Sequence, residues 1–212
     1  TGGMIPTAWT LPDELAEGTG VIMASAFPGL DSLIEDLSRH FADKYLGKPQ
    51  REMWAMFDKM LQTVSDPEMR REMMDWYAEQ RKTQPAVEDG GYKFSRSFLF
   101  RVLSLGHAQT SQYIGAKGPC TQVNAACAST TQAVGIAEDW IRTGRAQRVL
   151  VVSCDDITNE TLMEWLGTGF LASGAASTHN VGSEAALPFD RRRNGMIVGM
   201  GASALVIESG PS

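Results

Sequence analysis

A thiol set among small residues is the first place where this chain could do chemistry. Cys127 lies in VNAACASTTQAVGIAEDWIRTG, between Ala126 and Ala128, where an apolar strand-like run gives way to a helical pattern. The spacing puts Cys127 at the first turn of that helix. There a thiol meets N–H groups without intrahelical acceptors and the positive end of the helix dipole. Both favour thiolate, the nucleophilic form of cysteine. The same N–H groups can hold an oxyanion that develops when a carbonyl carbon is attacked. Ala125, Ala126, Ala128 and Ser129 are small enough to let a substrate reach the sulfur. Against this, free cysteine is among the most commonly buried residues and serves as a small core filler. The residues around Cys127 leave both readings open.

The other two cysteines, Cys120 and Cys154, have no such setting and are expected to be small core residues. None of the three has CxxC or Cys/His spacing, and oxygen ligands are equally unpatterned, so neither metal nor cofactor is expected. Free thiols without a leader-like N-terminus point to a reducing, cytoplasmic setting. The 212 residues carry a net charge of -6, and no basic stripe stands out, which argues against nucleic acid as partner. No apolar run approaches the ~18 residues of a membrane span. With 43% apolar and 21% charged residues, the composition is that of a globular domain with a sizeable core.

Elements must position Cys127. TGGMIPTAWTLPDELAEGT reads as irregular lead-in, and GVIMASAF as a short buried strand closed by Pro28-Gly29. Asp31 or Ser32 caps a helix that stops at Gly47. QREMWAMFDKMLQTVS and DPEMRREMMDWYAEQRKT both have helical period, with Asp66 as N-cap and Pro67 as first helical residue. Met53, Met56, Met60, Met69 and Met73 recur at spacings of three and four. They read as a buried seam between the two helices, or else as an adaptable binding surface. PAVEDGGYK is loop. TQVNAA is strand-like, and RVLVVSC is an apolar run typical of a strand covered on both faces. Between them, Ala133, Ile136, Ala137, Trp140 and Ile141 line one helix face, which Gly144 ends. MIVGMGASALVIES reads as two short strands joined near Gly199 to Ser203. Strands alternate with helices, so the fold class is α/β with a mostly parallel core sheet.

GPCTQVNAACASTTQAVGIAEDWIRTGRAQRVLVVSCDD resembles the nucleophile region of β-ketoacyl synthases, the condensing enzymes of fatty acid and polyketide assembly. LPFDRRRNGMIVGMGASALVIES is similar to a second signature of that family. GVIMASAFPGLDSL resembles its early strand and turn, and FLFRVLSLGHAQTSQYIGAKGP the helix that leads to the nucleophile. The likeness covers about 150 of the 212 residues. It implies a layered, thiolase-like fold flanked by helices, of which this chain would be most of the N-terminal half, with a helical insertion over about 48–92. It implies a decarboxylating Claisen condensation in which Cys127 carries the acyl group and its N–H is one oxyanion donor. Phe170, in GTGFLASGAAS, matches a position that lines or gates the acyl pocket, although an ordinary core role fits it equally. The implied partners are an acyl carrier protein with phosphopantetheine-linked acyl and malonyl groups, and a second copy in a homodimer.

The departures are specific. Met200 stands where the family usually has an acid, Ser203 replaces a glycine, and Asn124 occupies a position that is often acidic. The two histidines and the lysine of the family's second half have no match. His40 lies on a charged helix, His107 ahead of the nucleophile strand and His179 in a Ser/Thr/Asn loop; structural or solvated roles are expected for all three. The chain therefore reads as an interior fragment of a larger condensing domain, inactive alone. Two other functions fit less well: another Cys-dependent enzyme of the same fold, against which PFDRRRNG argues, and a non-catalytic chain-length partner, in which the nucleophile is commonly missing.

Overall fold

The computed structural model describes residues 10–83 and 91–210. The chain forms two compact units, one built from the segments up to Asp31 and from Leu99 onward, the other Ser32–Phe98.

In the first unit a four-stranded sheet runs in the order β2-β1-β3-β4, with β1 (Thr19–Ala24), β2 (Cys120–Val123), β3 (Arg148–Asp156) and β4 (Met200–Glu208). The first three strands are parallel; β4 is antiparallel to β3, its register running from Arg148↔Glu208 to Asp156↔Met200. The expected α/β class and mostly parallel sheet are thus observed. Alternate residues of the strands, among them Ile22, Ala24, Val123, Val149 and Val151, face the helix α7 (Ser129–Arg142). Ala133, Ala137 and Trp140 complete this core, with Ile136 and Ile141 packed at its margin, as the sequence pattern requires. Gly20 lies in the sheet because nothing larger fits: a Cβ there would stand 2.9 Å from the Pro119 carbonyl oxygen and 3.3 Å from the Trp140 ring. Helix α7 ends in a Schellman turn. Gly144 takes a left-handed φ of 73°, its N–H donates to Ile141, and the Arg145 N–H donates to the Trp140 carbonyl.

Helix α6 (Gly106–Ile114) packs on β1 and β2. This second layer does not extend over β3, and two expectations change with it. Leu150 and Val152 are half-buried and Cys154 is exposed, so β3 is covered fully on one face only. Cys120, on the edge strand, and Cys154, near the end of β3, are both exposed rather than core. The strand expected over Thr121–Ala126 stops at Val123. The two strands expected in MIVGMGASALVIES are one, Met200–Glu208, preceded by a single bridge between Ala176 and Met196. The lead-in is also more ordered than its composition suggests: Leu11 N–H bonds the Ile114 carbonyl, α1 (Asp13–Ala16) forms one turn, and Thr19 begins β1. Residues 1–9 lie outside the described residues, as does the expected loop from Pro85 up to residue 90.

The second unit is helical. It contains most of α2 (Leu30–Ala42), then α3 (Lys48–Thr63), α4 (Pro67–Thr83) and the start of α5 (Ser97–Val102). The helix does not stop at Gly47, which is itself helical at φ -62°. A wide π-type turn, Asp43–Gly47, carries the chain directly into α3. That turn falls where Pro49, lacking an N–H, cannot continue an ordinary ladder. Asp66 caps α4 as expected, its Oδ1 accepting the Glu68 N–H at 2.9 Å. The seam between α3 and α4 is aromatic, not methionine. Trp54 meets Tyr77 edge-on at 4.8 Å, and Phe57 stacks on Tyr77 at 5.2 Å. Met73 is half-buried, whereas Met53, Met56, Met60 and Met69 are exposed. His40 is not simply solvated: it sits among the rings of Phe41, Tyr92 and Phe94, each centroid within 5.5 Å.

Candidate active site

The carboxyl ends of three parallel strands converge on Cys127. In open α/β sheets this is the edge where ligands bind. Beyond Ala24, Val123 and Ser153 the chain leaves the sheet or loses its parallel neighbour, and the loops there are tied together by side chains.

The turn that carries Cys127 is built by Asn124 and Ser129. The Asn124 side chain accepts the Ala126 N–H at 3.2 Å and donates to the Ala26 carbonyl at 2.9 Å. Ser129 Oγ donates to the Ala126 carbonyl at 2.6 Å and accepts the Ala125 N–H at 2.9 Å. Between these clamps Ala126 is forced to a left-handed φ of 50°. A left-handed residue other than glycine costs on the order of 1 kcal/mol. The result is a sharp strand-to-helix turn with Cys127 exposed at its outside. One expectation is corrected here. Helix α7 begins at Ser129 with Ala128 as N-cap, so Cys127 lies just before the helix rather than in its first turn. The left-handed residue is what delays the helix. The N–H groups of Cys127, Thr130 and Thr131 make no hydrogen bond among the described residues. They remain available to an anionic oxygen beside the sulfur.

Sequence reasoning missed the residue that ties the three strand ends. Asp155, on β3, accepts from Ser25 Oγ at 2.7 Å, from the Ala26 N–H at 3.0 Å and from the Phe27 N–H at 3.1 Å. Through Ala26 this clamp reaches Asn124 and the Cys127 turn. Ser153 of β3 shares a 2.7 Å hydrogen bond with Thr130 of α7. The available signal was an Asp-Asp pair directly after an apolar strand. Its second member, Asp156, faces solvent and caps its own turn; the Thr158 hydroxyl, then the Thr158 N–H, hold its carboxyl below the usual range.

Phe170 lies half-buried in α9 (Thr168–Ala172), which follows α8 (Glu160–Leu162) and a π-type turn. Its carbonyl accepts from Ala175 and Ala176, and no hydrogen bond or ring contact joins it to the Cys127 turn among the described residues. The structure does bring the Phe170 segment to the second signature block. Ser177 N–H bonds the Met196 carbonyl, Met196 N–H bonds the Ala175 carbonyl, and Ser177 Oγ bonds Asn194 Oδ1 at 2.6 Å. Within that block Arg192 grips Asp190 by Nε and a terminal nitrogen and holds its carboxyl below the ordinary range. Phe189 stands wholly exposed at φ 66°. No contact of a histidine with Cys127 is recorded among the described residues. His107 is in α6 with Nδ1 buried and unpartnered, and His179 Nε2 lies 3.2 Å from Glu184, at the start of α10 (Gly182–Ala185). No cluster of metal-ligating groups occurs among the described residues, and no helix of theirs is long and apolar enough to cross a membrane.

Comparison with known proteins meets the same residues. The family model described as beta-ketoacyl synthase, N-terminal domain, matches residues 72–211. A 3-oxoacyl-[acyl-carrier-protein] synthase 2 from Staphylococcus aureus is 36% identical over 124 residues, 58% of this chain and 30% of that protein. A putative polyketide beta-ketoacyl synthase 1 from Streptomyces halstedii is 34% identical over 134 residues, 63% of this chain and 28% of that one. The chain thus spans under a third of these relatives. Among solved structures, a beta-ketoacyl synthase from Burkholderia phymatum superposes with TM-score 0.59 at 18% identity, over 96% of this chain and 38% of that one. A ketosynthase in complex with its chain length factor, from Xenorhabdus doucetiae, gives 0.53 at 16%, over 93% and 36%. These two share the thiolase-like ketosynthase fold. The chain belongs to the β-ketoacyl synthase family, and the matched segment is the family's N-terminal domain.

Proposed function

We propose that Cys127 is the acyl-carrying nucleophile of a condensing enzyme of fatty acid or polyketide synthesis. The observation that carries this reading is an exposed cysteine on a strained turn at the carboxyl edge of the parallel strands, in a segment where the N–H groups of Cys127, Thr130 and Thr131 have no hydrogen-bond partner among the described residues. In the first half-reaction the Cys127 thiolate attacks the carbonyl carbon of an acyl thioester. A new C–S bond forms, the old one breaks, and the carrier leaves as a thiolate that takes a proton from water. The oxygen passes through an oxyanion that the Cys127 N–H stabilises, with the N-terminus of α7 behind it. In the second, a malonyl thioester loses CO₂, and the resulting carbanion attacks the acyl group and expels Cys127 as thiolate. The covalent intermediate divides one difficult C–C bond formation into two steps.

The residues that promote decarboxylation belong to the family's second half and have no counterpart among His40, His107 and His179. On this reading the 212 residues acylate at most slowly and do not condense. Phe170 borders the acyl pocket. The acyl carrier protein is the donor in both halves, and a homodimer forms through the edge of β2, which among the described residues pairs only with β1. The helical unit, bounded here at Ser32–Phe98, is an insertion whose core is about 48–92.

The test is site-resolved labelling. The protein is incubated with an acyl thioester, digested and analysed by mass spectrometry. Acyl groups on Cys127 support the assignment; acylation of Cys120 or Cys154, both also exposed, without Cys127 overturns it.

A further inference from the structure

From the outer face of α3 we infer a self-association surface that joins two copies of this chain through antiparallel pairing of their α3 helices. At about 100° per residue, Met53, Met56 and Met60 fall within about 60° of one another, as one stripe. These residues are 47%, 67% and 51% exposed, although Trp54 and Phe57, next round the helix, are packed against α4. Helix α3 therefore has a wide apolar face of which only half is covered by its own hairpin. Spacings of three and four, continued back to Pro49, make the free half the a/d seam of a short coiled coil.

The charges beside the seam select the occupant. Glu52 and Lys59 lie on the flank away from α4, one heptad apart, and both are exposed. Neither makes an ion pair among the described residues. A parallel copy in register would set Glu52 beside Phe57 and Lys59 beside Val64 of its mate, leaving both charges without a partner. An antiparallel copy, with Met53 over Met56 of its mate, sets Glu52 within reach of Lys59. The two-fold axis repeats that pair, so the pattern is self-complementary as an isologous contact must be. An unrelated partner would have no reason to be matched by a pattern that matches itself. Methionine suits such a seam, because its flexible thioether fills an uneven gap between two unrelated helix surfaces. The four helices of two hairpins then form a bundle. One helix pair is small against the ~1,600 Å² of a stable interface, so this contact is weak alone and reinforces association made elsewhere on the molecule.

The experiment is sedimentation velocity of the full chain across a concentration series at low salt, with helicity of each variant checked by circular dichroism. The single reversals Glu52→Lys and Lys59→Glu each turn two attractive contacts into repulsive ones and are expected to weaken association about tenfold. The double reversal Glu52→Lys/Lys59→Glu restores the pairs and is expected to recover the original affinity within about twofold. Met56→Asp is expected to abolish the α3-dependent species without loss of helicity. The inference is overturned if the wild-type chain shows no species sensitive to Met56→Asp, which would leave the face to a different partner. It is also overturned if the double reversal associates no better than the singles, which would exclude the antiparallel register.

Discussion

Replacing Asp155 tests whether the strand ends and the Cys127 turn are one mechanical unit. The carboxylate is half-buried and takes three donors, the Ser25 hydroxyl and the N–H groups of Ala26 and Phe27. A typical hydrogen bond contributes about 1 kcal/mol net, and more to a charged acceptor, so Asp155→Ala should cost about 3 kcal/mol. Asp155→Asn keeps one oxygen and should cost about half as much, because its amide nitrogen cannot accept. The damage should not stay local. Ala26 is held on its other side by Asn124, whose second contact fixes Ala126 beside Cys127. Asn124→Ala and Asp155→Ala should therefore be non-additive, coupled by at least about 0.5 kcal/mol in a double-mutant cycle. Denaturant unfolding gives the stabilities. Acylation of Cys127 in the folded variants should fall about tenfold, while alkylation of Cys154 serves as control. If Asp155→Ala unfolds within about 0.5 kcal/mol of the parent, or the two losses simply add, the proposed linkage is wrong.

Four further outcomes are expected. Gly20→Ala should destabilise by about 2 kcal/mol, since its methyl must displace either the Pro119 carbonyl or the Trp140 ring; unchanged thermal unfolding would contradict the packing. Purified 212-residue chain, given malonyl carrier protein and an acyl donor, should release no β-ketoacyl product, and detection of that product would refute the dependence on the second half. Val123 faces β1, its carbonyl accepting the Ser25 N–H, so Gln122→Pro is the change that removes an N–H from the free edge of β2 and should weaken pairing through it, read as loss of dimer at fixed concentration. The carboxyls of Asp43, Asp156 and Asp190 are held low by Arg51, Thr158 and Arg192 respectively. Their contribution to stability is complete above the usual carboxylate pKa of about 4 and is lost as pH falls through the lower folded values. Acid unfolding should accordingly steepen below about pH 4, and Asp190→Asn should flatten that limb; a limb unchanged by the substitution would count against the assignment.

The fold was legible where one physical pattern dominated. The period of Ala133, Ala137 and Trp140, closed by Gly144, announced α7 because a helix half-buried on a sheet has no other way to distribute its apolar residues. The apolar runs of β1 and β3 were equally plain. The errors arose where a partner decides the outcome. Cys154 lies in an apolar run, but α6 covers β1 and β2 and not β3, so that face stays open. Gly47 looked like a helix end because glycine usually ends helices; here it is helical, and the break fell on the π-type turn imposed by Pro49. The methionines were assigned to the α3–α4 seam by spacing alone. The seam went instead to Trp54 and Phe57, about 100° further round α3, and to Tyr77 of α4, whose rings bury more area per contact.

The turn that carries Cys127 was legible as a strand-to-helix change, and its supports were not. Cys127 could be singled out from small neighbours and the strand-to-helix change, both local features. What places it before the helix is the left-handed Ala126, and no preference of alanine predicts that conformation. It follows from Asn124 and Ser129, which seize the backbone from both sides, and Asn124 is itself anchored 98 residues away on Ala26. Ala26 in turn hangs from Asp155, a further 129 residues along the chain. Such a chain of contacts exists only once β1, β2 and β3 are side by side. The turn geometry of the proposed nucleophile is therefore a product of tertiary assembly. Partial unfolding at the β1–β3 edge should relax Ala126 and the Cys127 turn before α7 itself melts. Hydrogen exchange tests that order: protection of Ala125 and Ala126 should be lost ahead of Ala137 and Trp140. Simultaneous loss would mean that the turn holds itself, without the sheet.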